Sequence, residues 1–412
     1  MDLFMRSGVL SKLNSFSNAR IDLCEMTESG GPLVTHLGGH GDQVLYRAQV
    51  TVKNPRFYSR LALGGSLGAC ESYLDGDWEC DDLPSLVRIF CANSELLESL
   101  DRGVGRIFQP VLRFLHRLRD NTLDGASRNI QAHYDIGNDF FGLFLDDTWM
   151  YSCGIFSDEN STLQEASIAK NDRICKKLGL KPGDHLLEIG TGWGGFAIHA
   201  AQNYGCKVTT TTISPAQYEL AQKRIKEAGL QDQIQLLLKD YRELAGKYDK
   251  IVSIEMIEAV GLDRQDEYFA KCSQLLKPEG IMGLQAIIIR DHLYENARRT
   301  VDFIQRHIFP GSGIPSVASM TDSMARKTDM RVSHLEDLTP HYARTLHEWS
   351  TRLKANQHLV TMSGYPEQLN RLWQFYFAYC EGGFLERRIG CVQLILTKPG
   401  DRTSPVMGEL RK

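Results

Sequence analysis

The stretch with the most chemistry in it is His185-Leu-Leu-Glu188-Ile-Gly190-Thr-Gly192-Trp-Gly194-Gly195-Phe-Ala-Ile-His-Ala-Ala201, which reads as a strand, a glycine-rich turn and a helix. Glycines let the backbone turn tightly and approach a ligand, and the helix start behind them offers free N–H groups. Gly190, Gly192 and Gly195 match the dinucleotide fingerprint G-x-G-x-x-G. That fingerprint also expects an acid about 20 residues on to hold a ribose, yet the next acid after Glu188 is Glu219. Its place is taken by Thr210-Thr-Thr212-Ile213-Ser214-Pro-Ala-Gln217, whose hydroxyls and amide can bond a ribose without a carboxylate. Glu188, just before the glycines, would repel a pyrophosphate but favour a cationic amino-acid group and a sulfonium. The pattern therefore points to S-adenosylmethionine rather than NAD.

Two further groups follow. Asp240-Tyr241 comes after the third strand of the series, where a doubly wound sheet opens onto the same crevice; Asp240 could accept an adenine amino proton and Tyr241 could line the ring. Glu255 and Glu258 stand three apart after the fourth strand and would share a face if helical; the alternative is that Glu255 merely caps or pairs.

The elements that must position these residues alternate in type. His185–Gly190, Lys207–Ile213, Ile234–Lys239, Lys250–Met256 and Ile281–Ile289 read as strands separated by helical stretches, the pattern of a doubly wound α/β sheet. Cys391–Thr397 follows a Tyr/Phe-rich helix, Leu369–Tyr379, and is expected as an edge strand. Upstream, residues 1–100 read as a small α+β domain, β-rich from Pro32 to Asp82 and helical from Leu83 to Leu100. Residues 101–128 carry Arg102, Arg106, Arg113, Arg117 and Arg119 beside apolar residues at helical spacing, a basic amphipathic linker helix suited either to an anionic membrane surface or to packing on the next domain. Residues 129–400 form the expected cofactor domain and 401–412 a tail.

With 412 residues, 42% of them hydrophobic, the chain can bury a large core, and a net charge of -4 argues against a globally basic nucleic-acid binder. No apolar run is long enough to span a bilayer, and Met1–Phe16 has no signal-peptide pattern, so a cytoplasmic protein is expected. Ten cysteines without a C-x-x-C pair predict free thiols and no metal site.

His133-Tyr-Asp-Ile-Gly-Asn-Asp-Phe-Phe141, Met150-Tyr-Ser-Cys153, the Glu188–Gly195 loop, Thr212-Ile-Ser214, Asp240-Tyr241, Glu255-Met-Ile-Glu258-Ala-Val-Gly261, Leu276-Lys-Pro-Glu-Gly280 and Ile308-Phe-Pro-Gly311, taken together, resemble the cyclopropane-fatty-acyl-phospholipid synthase family. The resemblance runs from about Asn129 to Pro399 and is loose before that. It implies a class I methyltransferase (Rossmann-like) sheet with a smaller N-terminal α+β domain, and methyl transfer from S-adenosylmethionine to a cis double bond of a phospholipid acyl chain, then proton loss and ring closure. By the same resemblance Tyr151, Ser152, Glu188, Gly190, Gly192, Gly194, Thr212, Ile213, Ser214, Gln217, Asp240 and Tyr241 hold the cofactor. A bicarbonate ion is implied as base, with Cys153, Glu258, Tyr342 and the backbone of Ile287 as ligands; Gln285 stands where many members carry histidine, and it can donate an N–H but cannot shuttle a proton. Cys380 matches a cysteine sometimes assigned as catalytic, against the reading of a buried thiol. The expected partners are unsaturated phospholipids at the inner face of the membrane, reached through the arginine-rich segment with help from Arg290, Arg298 and Arg299, and a second copy of the chain is a candidate partner. A methyl- or methylene-branched product, a small-molecule methyltransferase and a catalytically silent lipid-binding protein are the competing readings.

Overall fold

A computed structural model describes residues 2–16, 18–26, 31–39, 44–93, 136–404 and 406. The arginine-rich segment 101–128 and the start of the His133 motif lie outside these residues. The chain divides into two compact units, one made of Met1–His116, Thr300–Ile308 and Leu346–Arg388, the other of Arg117–Arg299, Phe309–Thr345 and Ile389–Lys412. The continuous 129–400 domain expected from sequence order is thus interrupted twice, because the aromatic helix Glu367–Leu385 packs with N-terminal elements.

The larger unit holds a seven-stranded sheet in the order β10-β11-β9-β8-β5-β6-β7. Its strands are β5 (His185–Ile189), β6 (Lys207–Thr212), β7 (Ile234–Leu238), β8 (Tyr248–Ile254), β9 (Leu276–Ile289), β10 (Arg331–Asp337) and β11 (Ile389–Thr397). β7 to β9 run parallel through β6, β5 and β8, while β11 and β10 add antiparallel. Apolar clusters cover the sheet, one around Leu187, Tyr268, Phe269, Met282 and Leu394, another around Ile174, Leu186, Phe196, Val208 and Ile395. The Leu163–Leu178 helix starts on a capping box, Thr162 with Glu165, and stops at Gly179 in the left-handed conformation. From β5 the chain winds one way to β6 and β7, then returns to β8 on the other side of β5. That reversal opens a crevice at the carboxyl ends of β5 and β8.

β11 is not the expected edge strand. It lies between β9 and β10, pairing Gln393 with Gln285 on one side and with Glu336 on the other. The true edge, β10, reads Arg-Val-Ser-His-Leu-Glu-Asp, and its only apolar residues, Val332 and Leu335, are exposed. A strand with no buried apolar face carries no hydrophobic alternation to detect.

The smaller unit holds a four-stranded sheet, β2-β1-β3-β4, of Pro32–Gly38, Ala19–Met26, Tyr46–Val52 and Trp78–Cys80. The expected β-rich stretch is broken by a helix, Arg56–Leu74, that buries Phe57, Tyr58, Leu61, Gly65 and Gly68 at three- and four-residue spacing and kinks at Gly65. The Leu83–Ala92 helix begins on the Asp82 cap. It packs so closely on Glu367–Leu385 that a Cβ at Gly382 would meet Val87 at 2.7 Å. No helix among the described residues is long and apolar enough to cross a membrane.

Candidate active site

The glycine loop does what its composition dictates. Gly190, Gly192 and Gly194 all have positive φ, 94°, 52° and 85°, a region that L side chains avoid. A Cβ on Gly190 would press on Met256 at 3.0 Å, whereas nothing lies within 4 Å of one on Gly192, so the loop stays open there. Glu188 is buried at the end of β5 and accepts from the Thr210 hydroxyl at 2.5 Å. Burial pushes its carboxyl up to about 7, against the pull of that hydroxyl and of Lys170.

The second loop is more self-contained than expected. Ser214 caps the Pro215–Glu227 helix by accepting from the Gln217 N–H, and the Thr212 hydroxyl donates to the Gln217 side-chain oxygen at 2.8 Å. Ile213 between them is half-buried. Asp240 is buried, but its carboxylate is gripped by the Arg242 guanidinium at 2.8 Å on both oxygens and caps its own turn. Tyr241 is buried with its ring edge-on to Tyr268, and its hydroxyl has no partner among the described residues. A buried unsatisfied hydroxyl costs about 1–3 kcal/mol, and a ribose or adenine atom would relieve it. The open Gly192 turn, the buried Glu188 carboxylate and this hydroxyl together fit a sulfonium nucleoside.

Tyr151 and Ser152 precede an aromatic wall: Tyr151 packs edge-on to Phe141, which lies 4.9 Å from the Trp193 ring. The indole N–H of Trp193 donates to Asn138 at 2.7 Å. Ser152 accepts from Lys170 at 3.1 Å. This lysine is completely buried, and burial lowers it to about 8 against the attraction of Glu255, Cys153, Glu188 and Asp146. It falls at the helical spacing of Leu163, Ala166 and Ile174, on the buried face, whereas Lys176 of the same helix faces solvent.

Beyond β8 the structure assembles a buried polar cluster. Glu255, for which the sequence left a shared face with Glu258 or mere capping or pairing open, is its hub. One carboxylate oxygen accepts from the Cys153 N–H at 2.9 Å and the Gln285 side-chain N–H at 2.7 Å, the other from the Tyr342 hydroxyl. Glu258 accepts from the Ile287 N–H at 2.5 Å, and its second oxygen is buried without a partner among the described residues. Burial and the neighbouring Glu255 push Glu258 up to about 8, so it is the protonated member of the pair. Burial also raises Glu255, opposed by its three donors and by Lys170. The two do not share a helical face as expected: the helix covers only Ile257–Val260, and Glu255 sits before it at φ +50°. Cys153 is buried with its thiol raised by desolvation.

The residues expected to hold bicarbonate are therefore brought together, but their donors are spent. Tyr342 and Gln285 donate to Glu255, and the Ile287 N–H to Glu258. An added anion would face two carboxyl groups and lose those donors, so the arrangement does not fit it. Cys380 is half-buried on Glu367–Leu385 in the smaller unit, while every other candidate catalytic residue belongs to the larger one. Burial raises its thiol far above the ordinary range, which leaves it protonated and unreactive.

The family model described as mycolic acid cyclopropane synthetase matches residues 121–394. The chain belongs to this family. Among its relatives, tuberculostearic acid methyltransferase UfaA1 of Mycobacterium tuberculosis is 35% identical over 348 residues, 83% of this chain and 81% of that protein. Cyclopropane-fatty-acyl-phospholipid synthase of Escherichia coli K12 is 36% identical over 357 residues, 85% and 88% of the two chains. The solved structure of mycolic acid cyclopropane synthase CmaA1, complexed with SAH and CTAB, superposes at a TM-score of 0.62, with 33% identity, over 66% of this chain and 98% of that one. Residues 121–394 thus belong to the cyclopropane synthase fold, and its seven-stranded sheet is the Rossmann-like one expected from sequence.

Proposed function

We propose that this chain transfers a methyl group from S-adenosylmethionine to the cis double bond of an unsaturated phospholipid acyl chain and closes a cyclopropane ring. The observation that carries the reading is the placement of the Glu188 loop and the Glu255, Glu258 and Tyr342 cluster at the carboxyl ends of the adjacent strands β5 and β8. The bound donor supplies an electrophilic methyl. Gly190, Gly192, Glu188 and Tyr241 hold and orient it; Tyr151, Phe141 and Trp193 close off water beside it. An isolated alkene is a weak nucleophile, so positioning in a dry site is the main lever. The resulting cation is stabilised by an aromatic face such as Tyr151 and must then lose a proton.

The names of the E. coli synthase and of UfaA1 both concern fatty acids, which supports a lipid substrate; that it is met at the cytoplasmic face of a membrane is part of the same proposal. Arg298 and Arg299 are paired with Asp263 and Glu295, so they offer little net charge to lipid headgroups. A second reading, a methyl- or methylene-branched product, is favoured by the 35% identity to a tuberculostearic acid methyltransferase and by Gln285. The test is incubation with methyl-labelled S-adenosylmethionine and vesicles of monounsaturated phospholipid. Labelled cyclopropane in the released fatty acids supports the proposal; labelled chains whose NMR spectrum shows a branch assign the second reading, and no labelled acyl chain overturns both.

A further inference from the structure

We infer that the Glu255 carboxylate stands where an external anion would otherwise bind, and that it is itself the base that takes the proton released on ring closure. The inference rests on the methyl-transfer reading above and concerns how this chain finishes that reaction. Three donors converge on Glu255 from separate parts of the fold: the Cys153 N–H, the Gln285 side chain on β9 and the Tyr342 hydroxyl on the Thr339–Ala355 helix. They form an anion hole whose occupant is covalently part of the protein.

The backbone shows that this placement is selected against local preference. Glu255 has φ +50°, one of three non-glycine residues with positive φ among the described residues. Such a conformation is unfavourable for a side chain with a Cβ and persists only where the surroundings enforce it. Gln285 is locked to match. Its side-chain oxygen accepts from Gln393 at 2.9 Å, Gln393 in turn accepts from Lys177 at 2.8 Å, and this fixes the Gln285 N–H₂ toward Glu255.

Occupancy of the carboxylate leaves it able to act. A carboxylate has about four lone-pair sites; N–H and O–H donors take three, and the weak Cys391 thiol contact at 3.9 Å falls on the oxygen that already holds two of them. The fourth, on the oxygen facing Tyr342, accepts the proton. The three hydrogen bonds blunt attack on carbon, and the buried ammonium of Lys170 balances the charge. Glu258, one donor and one orphaned oxygen, stays neutral and does not compete. In the step, a C–H bond of the transferred methyl breaks, its electron pair forms the second ring C–C bond to the cationic carbon, and the proton goes to Glu255, which returns it to solvent before the next turnover.

The test compares the full-length protein with Glu255→Gln and Glu255→Gly. Glycine accepts positive φ without strain, so the second variant empties the anion hole while suiting the backbone. Methyl transfer to monounsaturated phospholipid is measured in carbon-dioxide-free buffer with and without added bicarbonate, and binding of ¹³C-bicarbonate is followed by NMR. The expected results are turnover by the parent protein unchanged within about twofold on bicarbonate depletion, and a loss of about 100-fold in Glu255→Gln, the low end for general acid–base catalysis. Glu255→Gly should bind ¹³C-bicarbonate, which the parent does not, and regain about tenfold activity with it. A parent protein that binds or needs bicarbonate, or a fully active Glu255→Gln, overturns the inference. Absence of any labelled acyl product from the parent overturns the proposed function instead, and the ¹³C-bicarbonate comparison still decides this one.

Discussion

Two sets of buried carboxylates, one in each unit, live under opposite rules. In the smaller unit Asp22 is met by Arg20 at 2.7 Å, Arg47 at 2.6 Å and His36 at 2.6 Å; burial alone would raise it, but these partners hold it down at about 2. Glu71 is likewise held at about 2, first by the hydrogen bond from His307 and then by Arg306. In the larger unit Glu188 and Glu258 are buried with no arginine and are pushed up to about 7 and about 8. Surplus cations make a carboxylate a structural anchor that is always charged. Withholding them leaves a group that can exchange a proton near neutral pH, at a cost in stability.

The contrast can be broken most severely at Lys170, the fully buried cation that attracts both Glu188 and Glu255. Lys170→Met strands Glu188 and Glu255 without countercharge, and urea denaturation should show a loss of about 3–5 kcal/mol. By comparison, Arg47→Ala removes one of three partners of Asp22 from a guanidinium whose side chain is 65% exposed, and should cost under about 1 kcal/mol.

Between these extremes, the two sets of carboxylates should contribute to stability with opposite slopes against pH. Glu258 is raised on folding, so its contribution is fully present below the unfolded value of 4.5 and is lost as pH rises through about 8. Replacement by glutamine should remove a decline on the order of 3 kcal/mol between pH 5 and 8, read from denaturation midpoints. Asp22 is lowered on folding, so its contribution is present above 3.8 and fades as pH falls through about 2; Asp22→Asn should flatten only the acid limb. Tyr342→Phe sharpens the comparison within the site. Losing one donor to Glu255 should cost about 1–2 kcal/mol of stability, and the optimum of labelled-methyl transfer should move to higher pH because the Glu255 carboxyl rises further.

Local pattern made the catalytic half of the fold legible. Alternating strand and helix signals located β5 to β9, and the glycines at 190, 192 and 194 occupy positions that demand positive φ. The helix Arg56–Leu74 and the strand Arg331–Asp337 were not legible, the first because Gly64-Gly65 interrupts its pattern and the second because its apolar residues face outward. Within the site, Cys153, Glu258, Gln285 and Tyr342 were identifiable through their motifs. Glu255 was identifiable only as a neighbour of Glu258, and the one signal for Lys170 is its place at the spacing of the buried residues Leu163, Ala166 and Ile174.

The amino-acid sequence by itself determined the cofactor loop, since backbone conformation there depends on residues within a few positions of one another and only glycine tolerates it. What the tertiary structure alone decided is the state of each acid. Glu255 and Glu258 are three residues apart and chemically alike, yet three donors from positions 153, 285 and 342 reach one while a single backbone N–H reaches the other. Protonation in a buried site is set by the sum of contacts across chain separations of up to about a hundred residues, and such a sum has no trace in any local pattern.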